Sequence, residues 1–392
     1  MVHPVYAHMP TTIFEEMSGL ARQHGAINLG QGFPDGPGPL AVRQKAAEAV
    51  LDGYNQYPPM AGLPELRAAV ADHYGRRQGL VLDWPTQVTI TSGATEALAA
   101  SLLALIQPGD EVVVFQPVYD AYLPLIRRAG GVPRLVTLKP PHWRFDRAML
   151  EEAFGPRTRL VVLNNPINPT GTVLPREDLD LLAGFCINHD VIAICDEVWE
   201  EVVFDGARHT PLMALPGMKD RTVKIGSAGK MFGLTGWKVG FVCATAALTT
   251  VIARAHQFLT FTTAPNLQTA VAWGLENCND WFASLPVTLE RSRDRLTAAL
   301  TAEGFAVLPS QGTYFLNVDL AASGIVEPDR AFCLRAVTTA GVAAIPVSAL
   351  YETEAVTSII RLCFAKSDET LDEGARRLVK ARELSVSGNH RR

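Results

Sequence analysis

The sequence predicts an α/β protein built on a doubly wound, largely parallel sheet, with a second, smaller α+β domain. Two observations carry this. Between about residues 63 and 275, seven short β-rich runs alternate with helical patterns: QVTIT (87–91), EVVVF (111–115), VPRLVTL (132–138), RLVVLN (159–164), VIAICD (191–196), TVKIG (222–226) and VGFVC (239–243). Several are apolar on consecutive positions, as strands covered on both faces are. Segments such as TEALAASLLALI and REDLDLLAGFCINH supply the crossovers between them. After about residue 280 the texture changes to long amphipathic helices (281–304, 328–340, 368–384) with the short strands YFLNVDL and IIRLCF between them.

In chain order, Thr12-Ile13-Phe14-Glu15 reads as a capping box opening a helix that ends near Gly25. INLGQGFPDGPGP (27–39) is too rich in Gly and Pro for a regular element. The expected division is an N-terminal segment (1–45) joining the small domain, a large domain (46–277) and a C-terminal small domain (278–392). The tail SVSGNHRR is polar and expected to be disordered.

The 392 residues, 48% of them hydrophobic, suffice for a large buried core. A formal charge of −5 without a Lys/Arg block argues against nucleic acid or an anionic membrane as partner. MVHPVYAHMP lacks the basic and apolar regions of a secretory signal, and no apolar run reaches about 18 residues. A cytoplasmic protein is the expectation. Six scattered cysteines without a C-x-x-C pair suggest buried thiols, and nine histidines show no H-E-x-x-H spacing. Neither points to a metal.

Ligands of open α/β sheets sit at the carboxyl ends of the strands, and the polar residues of interest cluster there. The first run leads into Ser92-Gly93-Ala94-Thr95-Glu96, whose free N–H groups at a helix start suit a phosphate, although a capped turn looks the same. The second leads to Tyr119, a stacking platform or a core aromatic, and the fourth to the turn-forming Asn164–Gly171. Asp196 emerges from VIAIC as either a cap or the partner of a cation. The sixth run leads into Ser227-Ala228-Gly229-Lys230-Met231. A P-loop reading fails at Met231 and Lys224, and a dinucleotide reading of Gly30-Gln31-Gly32 fails at Pro34 and Pro37. Arg361 is a cation inside an apolar strand, which calls for a carboxylate from protein or ligand.

Taken together, S-A-G-K-M-F-G-L-T-G-W-K-V-G resembles the Schiff-base lysine segment of the fold type I, class I/II aminotransferases, enzymes dependent on pyridoxal 5′-phosphate (PLP). I-N-L-G-Q-G-F-P-D, Y-N-Q-Y-P-P-M-A-G-L-P-E-L-R, L-N-N-P-x-N-P-T-G, C-D-E-V, G-T-Y-F-L and I-R-L-C-F-A-K are similar to the kynurenine aminotransferase/glutamine transaminase K/methionine aminotransferase branch. The matches run in order from about residue 12 to 385.

The resemblance implies that Lys230 carries PLP and moves the substrate Cα proton. It implies that Asp196 pairs with the pyridine nitrogen and Tyr119 stacks on the ring. Ser227, Lys238 and the N–H groups of Ala94 and Thr95 would take the phosphate. Arg361 would bind the substrate α-carboxylate, helped by Asn168 and the backbone at Gly32, with Asn168 also reaching the ring hydroxyl. Phe14, Tyr57 and Phe261 would line a side-chain pocket, the last two reaching in from the other subunit of a homodimer. The implied reaction moves the amino group of a large neutral or aromatic amino acid to a 2-oxo acid. β-Elimination from cysteine S-conjugates and transamination of N-succinyldiaminopimelate are alternatives. Two positions depart from the pattern: Thr262 replaces the His of animal relatives, and Trp199 replaces a Tyr expected to bond the ring oxygen, leaving that contact in question.

Overall fold

The computed structural model describes residues 2–7 and 9–389, without the side chains of 386–389. Thr12 caps helix α1 (Ile13–Gln23), its hydroxyl accepting the Glu15 N–H at 3.3 Å. Ile13, Met17 and Ala21, spaced by four residues, turn one face inward. Strand β1 (Ile27–Asn28) follows.

The central sheet contains β2 (Val88–Thr91), β3 (Glu111–Gln116), β4 (Val132–Thr137), β5 (Thr158–Asn164), β6 (Ile192–Asp196), β7 (Thr222–Ser227) and β8 (Gly240–Cys243). Its order is β2-β8-β7-β6-β5-β3-β4, with β8 antiparallel to both neighbours and the other pairings parallel. Each of the seven runs read from the sequence corresponds to one strand. The reason is visible in the core: Val112, Val114, Leu160, Val162 and Ile194 pack with Ala97 and Leu98 of α2 (Gly93–Leu105). The intervening Val113, Val161, Leu163, Ala193 and Cys195 pack with Leu179, Leu182 and Phe185 on the other side. Strands buried on both faces lose polar alternation. The chain leaves β3 outward to β4 and returns as β5 on β3's other flank, a reversal that opens a crevice at the strands' carboxyl ends.

Helix α3 (Ala246–Leu259) packs on α2, and α4 (Asn279–Ala302) leads to an antiparallel sheet. That sheet is ordered β12-β13-β10-β9, from β9 (Ala306–Val307), β10 (Phe315–Asp319), β12 (Ile345–Pro346) and β13 (Ile359–Cys363). β1 pairs in parallel with β11 (Val342–Ala343). Lys366 bonds Asp35 at 2.9 Å, holding the irregular 27–39 passage against this region.

The 328–340 stretch is helical from Asp329, wound as an α-helix to Arg335 and as a wider π-helix over Ala336–Ala340, and ends at Gly341 with φ 76°. The tail expected to be disordered is helical as far as Asn389, because α5 (Asp368–Asn389) continues through it, while residues 390–392 lie outside the described residues.

In the sequence Lys224 is only one position of an apolar strand. Its ammonium is buried between the carboxylates of Glu197 and Glu200. Burial works against the charges, yet Lys224 and His209 hold Glu197 at about 2, and the two acids push Lys224 above its usual range. Ligand atoms of Glu197, Glu200 and His209 lie within 4.8 Å of one another, but Lys224 already supplies the cation.

Candidate active site

A cavity of about 380 Å³ opens at the carboxyl ends of β3, β5, β6 and β7, closed over by α1 and β13. At its floor, β7 ends at Ser227 and one helical turn (Ala228–Met231) carries Lys230 into the cleft. Tyr314 donates to the Lys230 carbonyl at 2.8 Å and so fixes its backbone. The Lys230 Nζ donates to the Gly32 carbonyl at 3.5 Å and lies 4.7 Å from the centroid of the Trp199 ring. Burial pushes this ammonium down to about 8; Asp196 opposes that, while Arg361 and Lys238 add to it. A lysine so placed is partly neutral near physiological pH, as an amine nucleophile and base must be.

Asp196 ends β6 and is buried. Its Oδ2 accepts the Tyr122 hydroxyl at 2.6 Å, and its main-chain carbonyl accepts the Asn164 amide at 2.9 Å. The other carboxylate oxygen, Oδ1, is buried without a donor. Burial raises the carboxyl to about 6, against the opposing pull of Tyr122 and Lys230. Such an oxygen is costly unless something in the cleft donates to it.

One side of the cleft suits an anion. α2 starts at Gly93, whose φ of 76° and closeness to Lys238 demand glycine: a Cβ there would stand 3.1 Å from Lys238 Cε. Lys238 adopts a left-handed backbone (φ 55°), and its ammonium reaches the Thr95 hydroxyl at 3.4 Å. Ser227, Ala94 and Thr95 line the same side. A cation, hydroxyls and the amide groups of a helix start form a phosphate-type cradle.

The opposite side carries Arg361, 1% exposed in β13. It donates to Asn168 Oδ1 at 2.9 Å and to the Gly30 carbonyl at 2.6 Å, while its Nε has no partner. The guanidinium lies over the Phe315 and Phe14 rings, with centroids 3.9 and 4.9 Å away. Burial lowers it to about 10. Asn168 is held in turn by Asn164, whose Oδ1 accepts its N–H at 2.7 Å. Gly32 cannot carry a side chain, since a Cβ would lie 2.6 Å from Phe315.

The cleft thus gathers Phe14, Gly32, Ala94, Thr95, Tyr119, Asn168, Asp196, Trp199, Ser227, Lys230, Lys238 and Arg361. Trp199 is 3% exposed and packs edge-on against Tyr314, with centroids 4.6 Å apart at 78°. Tyr57 and Phe261 lie outside the cleft. They are 81% and 39% exposed and meet each other edge-on at 5.4 Å. Sequence reasoning does not single out Asp120, Tyr122 or Phe315 as site residues, nor assign a role to Asn164, yet all four line the cleft. Tyr122, a hydroxyl among apolar neighbours three residues after Tyr119, is the readable signal.

Residues 24–378 match the family model of class I and II aminotransferases. The chain is 42% identical to methionine aminotransferase of Escherichia coli over 368 residues, covering 94% of this chain and 95% of that one. It is 36% identical to human kynurenine–oxoglutarate transaminase 1, covering 91% and 92%. The solved N-succinyldiaminopimelate aminotransferase of Mycobacterium tuberculosis superposes with a TM-score of 0.94 at 43% identity, covering 97% of this chain and all of that one.

Proposed function

The chain belongs to the class I and II aminotransferases, and from that premise we propose that it holds PLP in this cleft and transfers the α-amino group of a large neutral amino acid to a 2-oxo acid. One juxtaposition carries the reading. A lysine lowered to about 8 stands beside a buried carboxylate with a free oxygen, between an anion cradle and a buried guanidinium. These residues fit PLP. Asp196 Oδ1 would accept the ring N–H, Tyr119 would cover a ring face, and Asn168 would reach the ring oxygen. Ser227, Lys238, Ala94 and Thr95 would hold the phosphate. When bound, PLP supplies an aldehyde for amine exchange and a conjugated ring that takes up the electron pair left at Cα.

The chain's own groups do the rest. Lys230 offers a neutral amine and then moves the proton at Cα, shielded by the Trp199 ring. Arg361 and Asn168 fix the substrate carboxylate, with the backbone at Gly32 beside them. The cations lining the cleft are Lys230, Lys238 and Arg361, and each has a task. Asp120, also in the lining and in the field of Arg361, adds no positive charge for a second substrate carboxylate. Phe14 and Phe315 add apolar wall. These features support a neutral donor over N-succinyldiaminopimelate, whose distal carboxylate would have no further cation among these lining residues. Tyr57 and Phe261 are assigned to a homodimer interface, reaching the cleft of the second copy.

The test follows the visible absorption of the PLP-loaded protein against a panel of donors. Methionine, phenylalanine, glutamine and kynurenine should bleach it faster than glutamate, aspartate or N-succinyldiaminopimelate; the last as best donor would sink the neutral-substrate reading. Pyruvate released from a cysteine S-conjugate without added oxo acid would mark β-elimination. Tyr57→Ala should weaken aromatic donors selectively, and an unchanged panel would remove it from the site.

The Asp196 carboxyl gives a pH test. It is ionised above about 6, the form that pairs with a protonated ring nitrogen. Apoprotein affinity for PLP should therefore fall as pH drops through about 6. In Asp196→Asn this component should be absent and affinity about 1.5–3 kcal/mol weaker at neutral pH, the range of one charge-assisted hydrogen bond. Parallel pH profiles would exclude the pairing.

A further inference from the structure

Behind the anion cradle lies a buried pair that none of the roles above uses. The Glu96 carboxylate sits in the first turn of α2, 9% exposed. Its Oε2 accepts the Ser92 N–H at 3.0 Å, bracing the Ser92–Thr95 turn from behind. Its Oε1 faces Nδ1 of the fully buried His256, near the end of α3, at 2.9 Å. The other ring nitrogen, Nε2, faces the Met60 carbonyl at 2.9 Å. Both neighbours are acceptors, so both contacts are hydrogen bonds only when both nitrogens carry protons. Burial opposes this charge, but Glu96 holds the imidazolium above the usual histidine range.

The placement matters because a carboxylate at a helix start competes with any anion bound there. It offsets the positive end of the helix and the nearby Lys238. Neutralised from behind by His256, Glu96 can keep its structural bond to Ser92 without repelling a ligand. The Ser92 hydroxyl adds a bond to Thr263 at 3.2 Å, and the Phe261 N–H bonds the His256 carbonyl at 3.3 Å. The turn is thereby tied to the loops that carry Met60 and Phe261.

We propose that His256 and Glu96 form a positioning ion pair that sets the Ser92–Thr95 turn and cancels the Glu96 charge, so that the turn accepts the phosphate of PLP. This rests on the reading that the turn holds that phosphate.

The test uses the full-length apoprotein titrated with PLP and with pyridoxal, which lacks the phosphate. In His256→Gln the Glu96 charge is left uncompensated, and Kd for PLP should rise about tenfold or more while Kd for pyridoxal stays near that of the wild type. Glu96→Gln/His256→Gln should return PLP affinity to within about threefold of wild type. In this double variant the amide replacing the Glu96 carboxylate can still accept from the Ser92 N–H and donate to the amide replacing the imidazole. That second amide can donate in turn to the Met60 carbonyl. A Kd ratio unchanged in His256→Gln, or a double variant as weak as the single, overturns the proposal. Loss of thermal stability without a change in the ratio identifies a merely structural pair and also overturns it. If His256→Gln does not fold, Glu96→Gln alone should bind PLP within about threefold of wild type, and markedly weaker binding refutes the charge argument. Lys238→Ala separates the two levels. If it leaves the PLP-to-pyridoxal ratio unchanged, the phosphate reading itself fails; if it shifts the ratio and His256→Gln does not, only the ion-pair proposal fails.

Discussion

Replacing Lys230 with alanine should lower the transamination rate by about 10⁴-fold, the upper range for a positioned acid–base group, and remove the visible band of lysine-bound PLP. The loss should be chemical, not structural. Tyr314 bonds the Lys230 main-chain carbonyl, which alanine retains, and the side chain's contacts are with the Gly32 carbonyl and the Trp199 face. A small primary amine added to the variant should restore part of the proton transfer at Cα. Stability should move the other way. Burial lowers the folded-state pKa to about 8 from an ordinary 10.5, so the wild type is penalised for its charge at neutral pH. Alanine removes that penalty. The variant's advantage should be complete below about pH 8 and shrink as pH rises towards 10.5, which thermal melts across that range will record. Activity within tenfold of wild type would remove Lys230 from the chemistry.

The sheet was legible because two cores clamp its inner strands: strands covered on both faces must be apolar at successive positions, and EVVVF, RLVVLN and VIAICD keep that mark, whereas the edge run VPRLVTL, exposed on one side, was legible by its β-rich composition. The strand-end residues were legible as a set because Ser227, Lys230 and Lys238 come at or after the end of β7, Asp196 ends its neighbour β6, and Asn168 follows β5, the next strand along. What escaped was polar pairing across distance. Tyr122 meets Asp196 over 74 positions, and Glu96 meets His256 over 160, with nothing local to announce either bond. Lys224 escaped for a related reason: its charge is cancelled by Glu197 and Glu200 from beyond β6, so locally it reads only as an interruption of an apolar strand. The helical continuation past Ser385 is hidden because SVSGN carries few apolar residues to mark a packed face.

Arg361 is the second site where a single change should be severe, and its surroundings indicate which kinetic constant will respond. Its guanidinium already commits one nitrogen to Asn168 and another to Gly30, lies over the Phe315 and Phe14 rings, and makes no hydrogen bond to a carboxylate among the described residues. A buried cation whose hydrogen bonds go to neutral acceptors, with the Asp120 carboxylate near but not bonded to it, gains most from an anion that enters, and the α-carboxylate is common to every amino acid and every 2-oxo acid. Arg361→Lys should therefore raise KM for all donors and acceptors alike, costing about 2–5 kcal/mol in kcat/KM. A lysine ammonium is a compact, strongly hydrated charge that can neither stack on the aromatic rings as a planar group nor present a planar fork to a carboxylate. The effect should fall mainly on KM, since the proton moves at Lys230, beyond the reach of this contact. Steady-state kinetics with methionine, phenylalanine and two oxo acids would check it. A change confined to one side-chain class would place Arg361 in the side-chain pocket instead, and an unchanged KM would refute its role as the carboxylate anchor.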